Sequence, residues 1–152
     1  IRKRFGDLPV WKIAAAQRGM TDDNLIQSTN YKYLDEKGKI LDMEGFQVSL
    51  GPLALPLNLR ATRNGTLVSI TWDDPRDEPS AAPTDRMMVG IFYADYRDTF
   101  TLEKETGTTR RDGKCEIILR DDDGEVCIHP FFARADHTAF SEDKAITLPD
   151  TE

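Results

Sequence analysis

Histidine and cysteine are scarce in this chain. Its 152 residues include two of each: His129 and His137, Cys115 and Cys127. Two cysteines make no disulfide scaffold, so the fold has to rest on an apolar core. A single bridge between adjacent strands stays open, because spacing alone does not decide it, and with it the redox compartment. Neither the Walker phosphate loop nor the dinucleotide fingerprint occurs. No apolar run approaches bilayer length; the longest, such as residues 90–94, are strand-sized. No basic, apolar, small-residue progression stands at the start as a signal peptide would. The chain opens on Ile1 rather than Met, so it reads as processed or trimmed. A secreted or cell-envelope location is slightly favoured over a cytoplasmic one.

Positive charge is also in deficit. Lys and Arg number 20 against 27 Asp and Glu, a formal net charge of −7. Phosphate backbones repel such a surface, which argues against nucleic-acid binding. Residues 1–20 are the exception, with Arg2, Lys3, Arg4, Lys12 and Arg18 against Asp7 alone. They read as a basic arm lying on an acidic body, or as a solvated end.

What remains is an ordinary globular composition, 39% hydrophobic and 31% charged. The length suits one domain, or one with a structured extension. The patterning changes near residues 51–56. Before that point, Pro9 and the run Trp11-Lys12-Ile13-Ala14-Ala15-Ala16-Gln17 predict a short helix ended by Gly19. Thr21 reads as the N-cap of a second helix, with Asp22 and Asp23 in its first turn and Leu25 and Ile26 on its apolar side. Residues 47–51 read as a short strand.

From Leu57 onward the period is two. Leu57, Leu59 and Ala61 alternate with polar neighbours, Asn64-Gly65 is a strong hairpin signal, and Val68, Ile70 and Trp72 should face a core. Asp73-Asp74-Pro75 stops that strand, and a long loop over residues 76–85 follows. Residues 87–94 are apolar on both faces. Phe100 and Leu102 suggest a short strand, Cys115, Ile117 and Leu119 alternate, residues 125–133 form another strong strand, and residues 140–148 close the sheet. These features predict a mainly β chain: an antiparallel seven-stranded sandwich of the immunoglobulin or fibronectin type III kind over residues 53–149. Residues 1–52 then form a small, partly helical extension packed on the sandwich or on a partner. Trp72 would fill the space between the sheets.

Candidate chemistry is thin. Cys127 and His129 are two apart on one strand and share a face, and Cys115 could lie nearby. That set is one ligand short for zinc and has no Cys-x-x-Cys pair, so two small, half-buried cysteines and an exposed histidine explain it better. Asp121 and Asp123 precede Gly124, but the run lacks the alternation of a calcium loop, and turn formation suffices. Asn64-Gly65-Thr66 matches the glycosylation pattern and is also the hairpin turn. No catalytic residue, cofactor or firm metal site is expected, with Asp121, Asp123, Cys127 and His129 the weak metal candidates.

The aromatics are more informative. In Phe131-Phe132 and Ile91-Phe92-Tyr93 adjacent side chains must face opposite sides, so both faces of the sheet centre need cover. Either the N-terminal segment or another chain supplies it. Trp11, Tyr31, Tyr33 and Phe131 are accordingly the candidates for an interaction surface.

Several short motifs occur in a recognisable order. Gly19-Met20-Thr21 with Asn24 and Asn30 comes first, then Ser49-Leu50-Gly51-Pro52-Leu53, then Ser69-Ile70-Thr71-Trp72-Asp73-Asp74. Asp85 and Met88-Val89-Gly90-Ile91-Phe92-Tyr93 follow, then Arg111-Asp112-Gly113, Gly124-Glu125-Val126, Phe131-Phe132-Ala133-Arg134-Ala135-Asp136 and Ser141. In this order the chain resembles an uncharacterised family of Bacteroidetes proteins, a domain of unknown function. Members of that family begin with a further segment missing here. The resemblance implies architecture and a non-enzymatic tendency, and it assigns no site residue.

Three functions compete. The first is a non-catalytic binding or assembly module making protein–protein contacts, or associating with itself, in a larger bacterial or particle-associated structure. The second is a carbohydrate-binding module using Trp11, Tyr31, Tyr33 or Tyr96 as stacking platforms. The third is a metal-dependent enzyme using the acidic loops or the Cys127/His129 face.

Overall fold

The structure is a computed structural model that describes residues 8–37, 39–73, 79–95, 100–120 and 124–149. Two helices come first: α1 (Val10–Gln17) and α2 (Asp22–Asn30), followed by a 3-10 turn at Tyr31–Tyr33. Their boundaries follow local chemistry. After α1, Gly19 takes a positive φ of 67°, which lets Met20 N–H reach back to Ala15 O at 3.0 Å and close the helix end. At the start of α2 the Thr21 side chain accepts from Asn24 N–H at 3.3 Å.

Seven strands follow among the described residues: β1 (Leu57–Asn64), β2 (Leu67–Asp73), β3 (Arg86–Tyr93), β4 (Thr101–Glu103), β5 (Lys114–Ile118), β6 (Val126–Ala133) and β7 (Ile146–Leu148). They form two antiparallel sheets, ordered β1-β2-β5 and β4-β3-β6-β7. The Asn64–Leu67 pair closes the hairpin at Gly65, whose φ is 63°. The fold is therefore a two-sheet β-sandwich with two short helices.

Side-chain alternation divides the apolar residues into two cores. Val68, Ile70, Trp72, Cys115 and Ile117 from one sheet meet Met87, Val89, Ile91, Val126, Ile128 and Phe132 from the other. This is the sandwich interior. The opposite face of β3 and β6 carries Met88, Phe92, Cys127, Phe131 and Ala133. That face is covered by the chain's own residues: Leu8, Val10, Trp11, Ala14, Leu25, Ile26, Ile40, Phe46 and Val48 belong to the same cluster. Phe92 stacks on Phe100 with ring centroids 4.9 Å apart, and Phe46 tilts against both. Gly90, opposite His129 in the ladder, leaves a notch for Val48; a Cβ there would sit 3.2 Å from both Val48 methyls.

Several expectations need correction. Residues 47–51 form no strand. Three of their N–H groups bond side chains instead, with Gln47 N–H donating to Asn30 Oδ1 at 2.6 Å and Val48 and Ser49 N–H donating to Asp143. Of residues 140–148 the last three form β7, and Phe140 meets Ala133 of β6 in an isolated antiparallel bridge. Cys115 and Cys127 are free and lie in different cores, one on each side of the β3–β6 sheet, so they do not bridge. Trp11 and Phe131, expected on an interaction surface, are buried at 2% and 0% exposure under this chain's own segment. The loop over residues 76–85 is described only from Pro79.

Candidate functional site

Pro130 shapes the most chemically loaded part of the molecule. It sits within β6, which pairs with β3 along its whole length but with β7 only as far as Ile128. Proline has no N–H to give, and here that missing donor falls where the β7 ladder has already ended. The returning chain is held instead by single contacts: Ser141 Oγ accepts from Phe132 N–H at 2.8 Å, Ser141 N–H donates to Phe132 O, and Lys144 N–H donates to Pro130 O. This irregular path brings Asp143 over His129.

His129 Nδ1 lies 2.6 Å from Asp143 Oδ2, and Nε2 lies 2.6 Å from the Met43 carbonyl oxygen. Both partners are acceptors, so both ring nitrogens must donate. That is the hydrogen-bonding pattern of imidazolium. Burial alone would push this histidine down; its hydrogen bonds to Asp143 and Cys127 and the neighbouring negative charge outweigh burial and hold the pKa up at about 9, against 6.5. The other Asp143 oxygen accepts from Val48 N–H at 3.2 Å and Ser49 N–H at 3.1 Å. Ser49 Oγ donates to Ser141 O at 2.7 Å, and Thr147 Oγ1 donates to Glu44 Oε1. Trp11 Nε1 donates to Val48 O at 3.1 Å, and the Asn30 side chain pairs with Gln47. Together these bonds latch residues 43–49 to the sandwich on one side and to α1 and α2 on the other.

Cys127 Sγ lies 3.5 Å from His129 Nε2, so the chain holds a cysteine, a histidine and an aspartate in hydrogen-bonding sequence. A nucleophilic cysteine must be activated, by a base or by a cationic neighbour, and it must be reached by its substrate, whereas Cys127 is wholly buried. Here Nε2 is committed to the Met43 carbonyl and the ring carries its proton already. The same commitment removes His129 as a metal ligand, which would need an unprotonated nitrogen. Among the described residues no group of three or more His, Cys, Asp or Glu side chains is placed to hold a metal. Asp121 and Asp123 lie outside the described residues, as does Tyr96. The expected exposed histidine is thus fully buried, because it is neutralised by an acid fourteen residues downstream.

A second buried charge cluster joins the residue before β3 to the turn before β5. Asp85 and Arg110 are 0% and 1% exposed. Asp85 Oδ2 accepts from Arg110 Nε at 3.2 Å, and its Oδ1 accepts from Arg134 Nε at 2.9 Å. Arg110 also donates to Ala54 O at 2.7 Å, stacks over Phe132 at 4.2 Å, and offers its carbonyl to Trp72 Nε1 at 2.8 Å. Trp72 and Phe132 meet edge to face. Neither Asp143 nor Arg110 stands out in the sequence: an acid before a strand and an arginine before a turn are ordinary surface features.

Two clefts border these clusters. One of about 110 Å³ lies between Glu44, Phe46, Gln47 and Asp143. A larger one, about 440 Å³, is lined by Arg86, Lys104, Glu105, Thr106 and Thr108, with Thr106 Oγ1 already donating to Met87 O. Of the remaining surface candidates, Tyr31 is 65% exposed, while Tyr33 is half-buried beneath Lys32.

No family model matches the chain, and no curated protein does. The resemblance to the Bacteroidetes family therefore rests on its short motifs alone. Among solved structures the chain is similar to one described as a myokine structure, at 18% identity and a TM-score of 0.47, covering 66% of this chain and 99% of that one. It is similar also to the chicken CNTN1 FN1–FN3 domains, at 7% identity and a TM-score of 0.47. That likeness covers 67% of this chain and 32% of that one.

Proposed function

We propose that this chain is a non-catalytic module that makes protein–protein contacts within a larger assembly. The observation that carries the reading is the sealing of its only Cys–His–Asp grouping among the described residues. His129 bonds Asp143 through one nitrogen and the Met43 carbonyl through the other, and it and Cys127 are wholly buried, out of reach of a substrate. The exposed large apolar side chains, by contrast, are scattered over the outside: Met20, Tyr31, Leu41, Leu57 and Ile118. The finer parts of the proposal are a fibronectin type III-like kinship, an extension over residues 1–52 serving a sandwich over residues 53–149, and a bacterial or particle-associated setting.

Photocrosslinking tests the reading. A photoreactive residue is placed in turn at Tyr31, Leu41, Leu57 and Ile118, and the protein is irradiated in its native cells. Discrete heavier adducts at some positions and not others support a contact module. Absence of adducts at all four, or the same smear at each, counts against it.

A further inference from the structure

The outer neighbour of β3 is not one continuous strand. β4 pairs with it from Val89 to Ile91, and Thr109 meets Arg86 in an isolated antiparallel bridge. Between those pairings residues 104–108 lie opposite Met87 and Met88 alone, so the chain is forced off the sheet edge as a bulge. Thr106 Oγ1 takes the place of a main-chain donor and bonds Met87 O at 2.8 Å, while Met87 N–H donates to Thr108 O at 2.9 Å. Gly107 turns the bulge with a positive φ of 76°. The cleft of about 440 Å³ is lined by this bulge and by Arg86 and Met87.

The lining is rich in donors. Arg86 is exposed, and among the described residues its guanidinium makes no hydrogen bond or ion pair. Its neighbour Asp85 does not neutralise it, because both carboxylate oxygens are held by Arg110 and Arg134. Lys104 lines the same cleft. The main-chain N–H groups of Glu105, Thr106 and Gly107 donate to nothing among the described residues. Successive unused amides beside a glycine in the left-handed region make a concavity of the kind that binds anions. Among the described lining residues Glu105 is the only acid.

We propose that this cleft binds a small organic oxyanion, a carboxylate or a phosphate monoester, with Arg86 and Lys104 as its counter-charges and the amides of residues 105–107 as its donors. The planar fork of arginine matches either oxyanion, and the volume admits an organic ligand rather than a bare ion. Glu105 opposes the bound charge from the same lining and weakens it. This binding site goes beyond the contact function proposed above and does not depend on it.

Three probes with one carbon skeleton test it: glycerol phosphate, glycerate and glycerol, added to the full chain labelled with nitrogen-15 at an ionic strength fixed with sodium chloride. Amide shifts at residues 105–107 are expected with at least one of the two anions, and not with glycerol or with chloride alone. A response to the phosphate, to the carboxylate or to both names the oxyanion class and supports the site. Arg86→Gln should weaken binding about ten-fold, the loss of one charge-assisted interaction. Glu105→Gln should tighten it by up to about five-fold, by removing an exposed like charge. Both residues are exposed, and an unchanged unfolding temperature checks that each variant keeps the fold. Absence of shifts with both anions at tens of millimolar overturns the proposal. So do shifts that glycerol or chloride reproduces, or binding that Arg86→Gln leaves unchanged.

Discussion

His129 and Asp143 form a buried ion pair whose side chains take their main-chain partners from residues 43–49. Through it, the proton on one ring fastens the N-terminal segment to the sandwich. Four main-chain groups or side chains converge on the pair: the Met43 carbonyl, the Val48 and Ser49 amides and the Cys127 thiol.

Stability should depend on pH in a defined window. The folded state holds the His129 proton more tightly than the unfolded chain, since its pKa is raised to about 9. The contribution is therefore complete below about pH 6.5 and is lost as pH rises through about 9. Its full size is of the order of 3 kcal/mol. Urea denaturation between pH 6 and 10 should show this decline, and Asp143→Asn should flatten it.

Removing one partner of the pair should cost more than removing both. Asp143→Asn leaves a charged imidazole buried beside a neutral amide, at a cost of roughly 3–5 kcal/mol. The double variant with His129→Gln should be less damaging than the sum of the singles, because no buried charge is left over. Equilibrium unfolding of the four proteins of this cycle measures the difference.

The Asp85 cluster should behave the same way. Asp85→Ala strands the fully buried Arg110, with an expected loss of roughly 3–5 kcal/mol. Adding Arg110→Met should recover part of it, since a methionine fills the space over Phe132 without a charge. Thermal unfolding of the single and double variants tests this ordering.

Gly51 tolerates no side chain. A Cβ there would lie 2.0 Å from the Phe140 carbonyl oxygen, a main-chain atom already accepting from Leu53 N–H at 3.0 Å. Gly51→Ala should cost about 3 kcal/mol or block folding. Gly90→Ala meets only Val48 methyls at 3.2 Å and should cost clearly less. Paired denaturation curves decide between them.

The sandwich was legible in the sequence because its cause is local and repetitive. Val68, Ile70 and Trp72 alternate, Asn64-Gly65 closes a hairpin, and the two-sided apolar pattern of residues 87–94 and 125–133 asks for a second layer. Val10, Trp11, Phe46 and Val48 share one core with Phe92 and Phe131 on that face of the sheet. The latch was not legible. His129 is buried only because an acid fourteen residues later and a carbonyl 86 residues earlier both reach it. No pattern in the neighbourhood of His129 encodes either contact. Residues 47–51 misled for a related reason: their alternation is that of a strand, but their hydrogen-bond partners are the side chains of Asn30 and Asp143. Arg110 gave no signal, because its partner Asp85 lies 25 residues earlier, on the far side of β3 and β4.

Native-state amide hydrogen exchange tests the arrangement most directly. The Val48 and Ser49 amides lie outside any strand but are bonded to Asp143, so they should be protected as strongly as the β6 amides that pair with β3. β5 is an edge strand, and Trp72 N–H to Gly113 O and Leu119 N–H to Thr66 O fix which of its residues face β2. The Glu116 and Ile118 amides lie inside that strand but face its open edge, so they should exchange quickly while Cys115 and Ile117 stay protected. Rapid exchange at Val48 and Ser49, or slow exchange at Glu116 and Ile118, would contradict a latched N-terminal segment and a free β5 edge respectively.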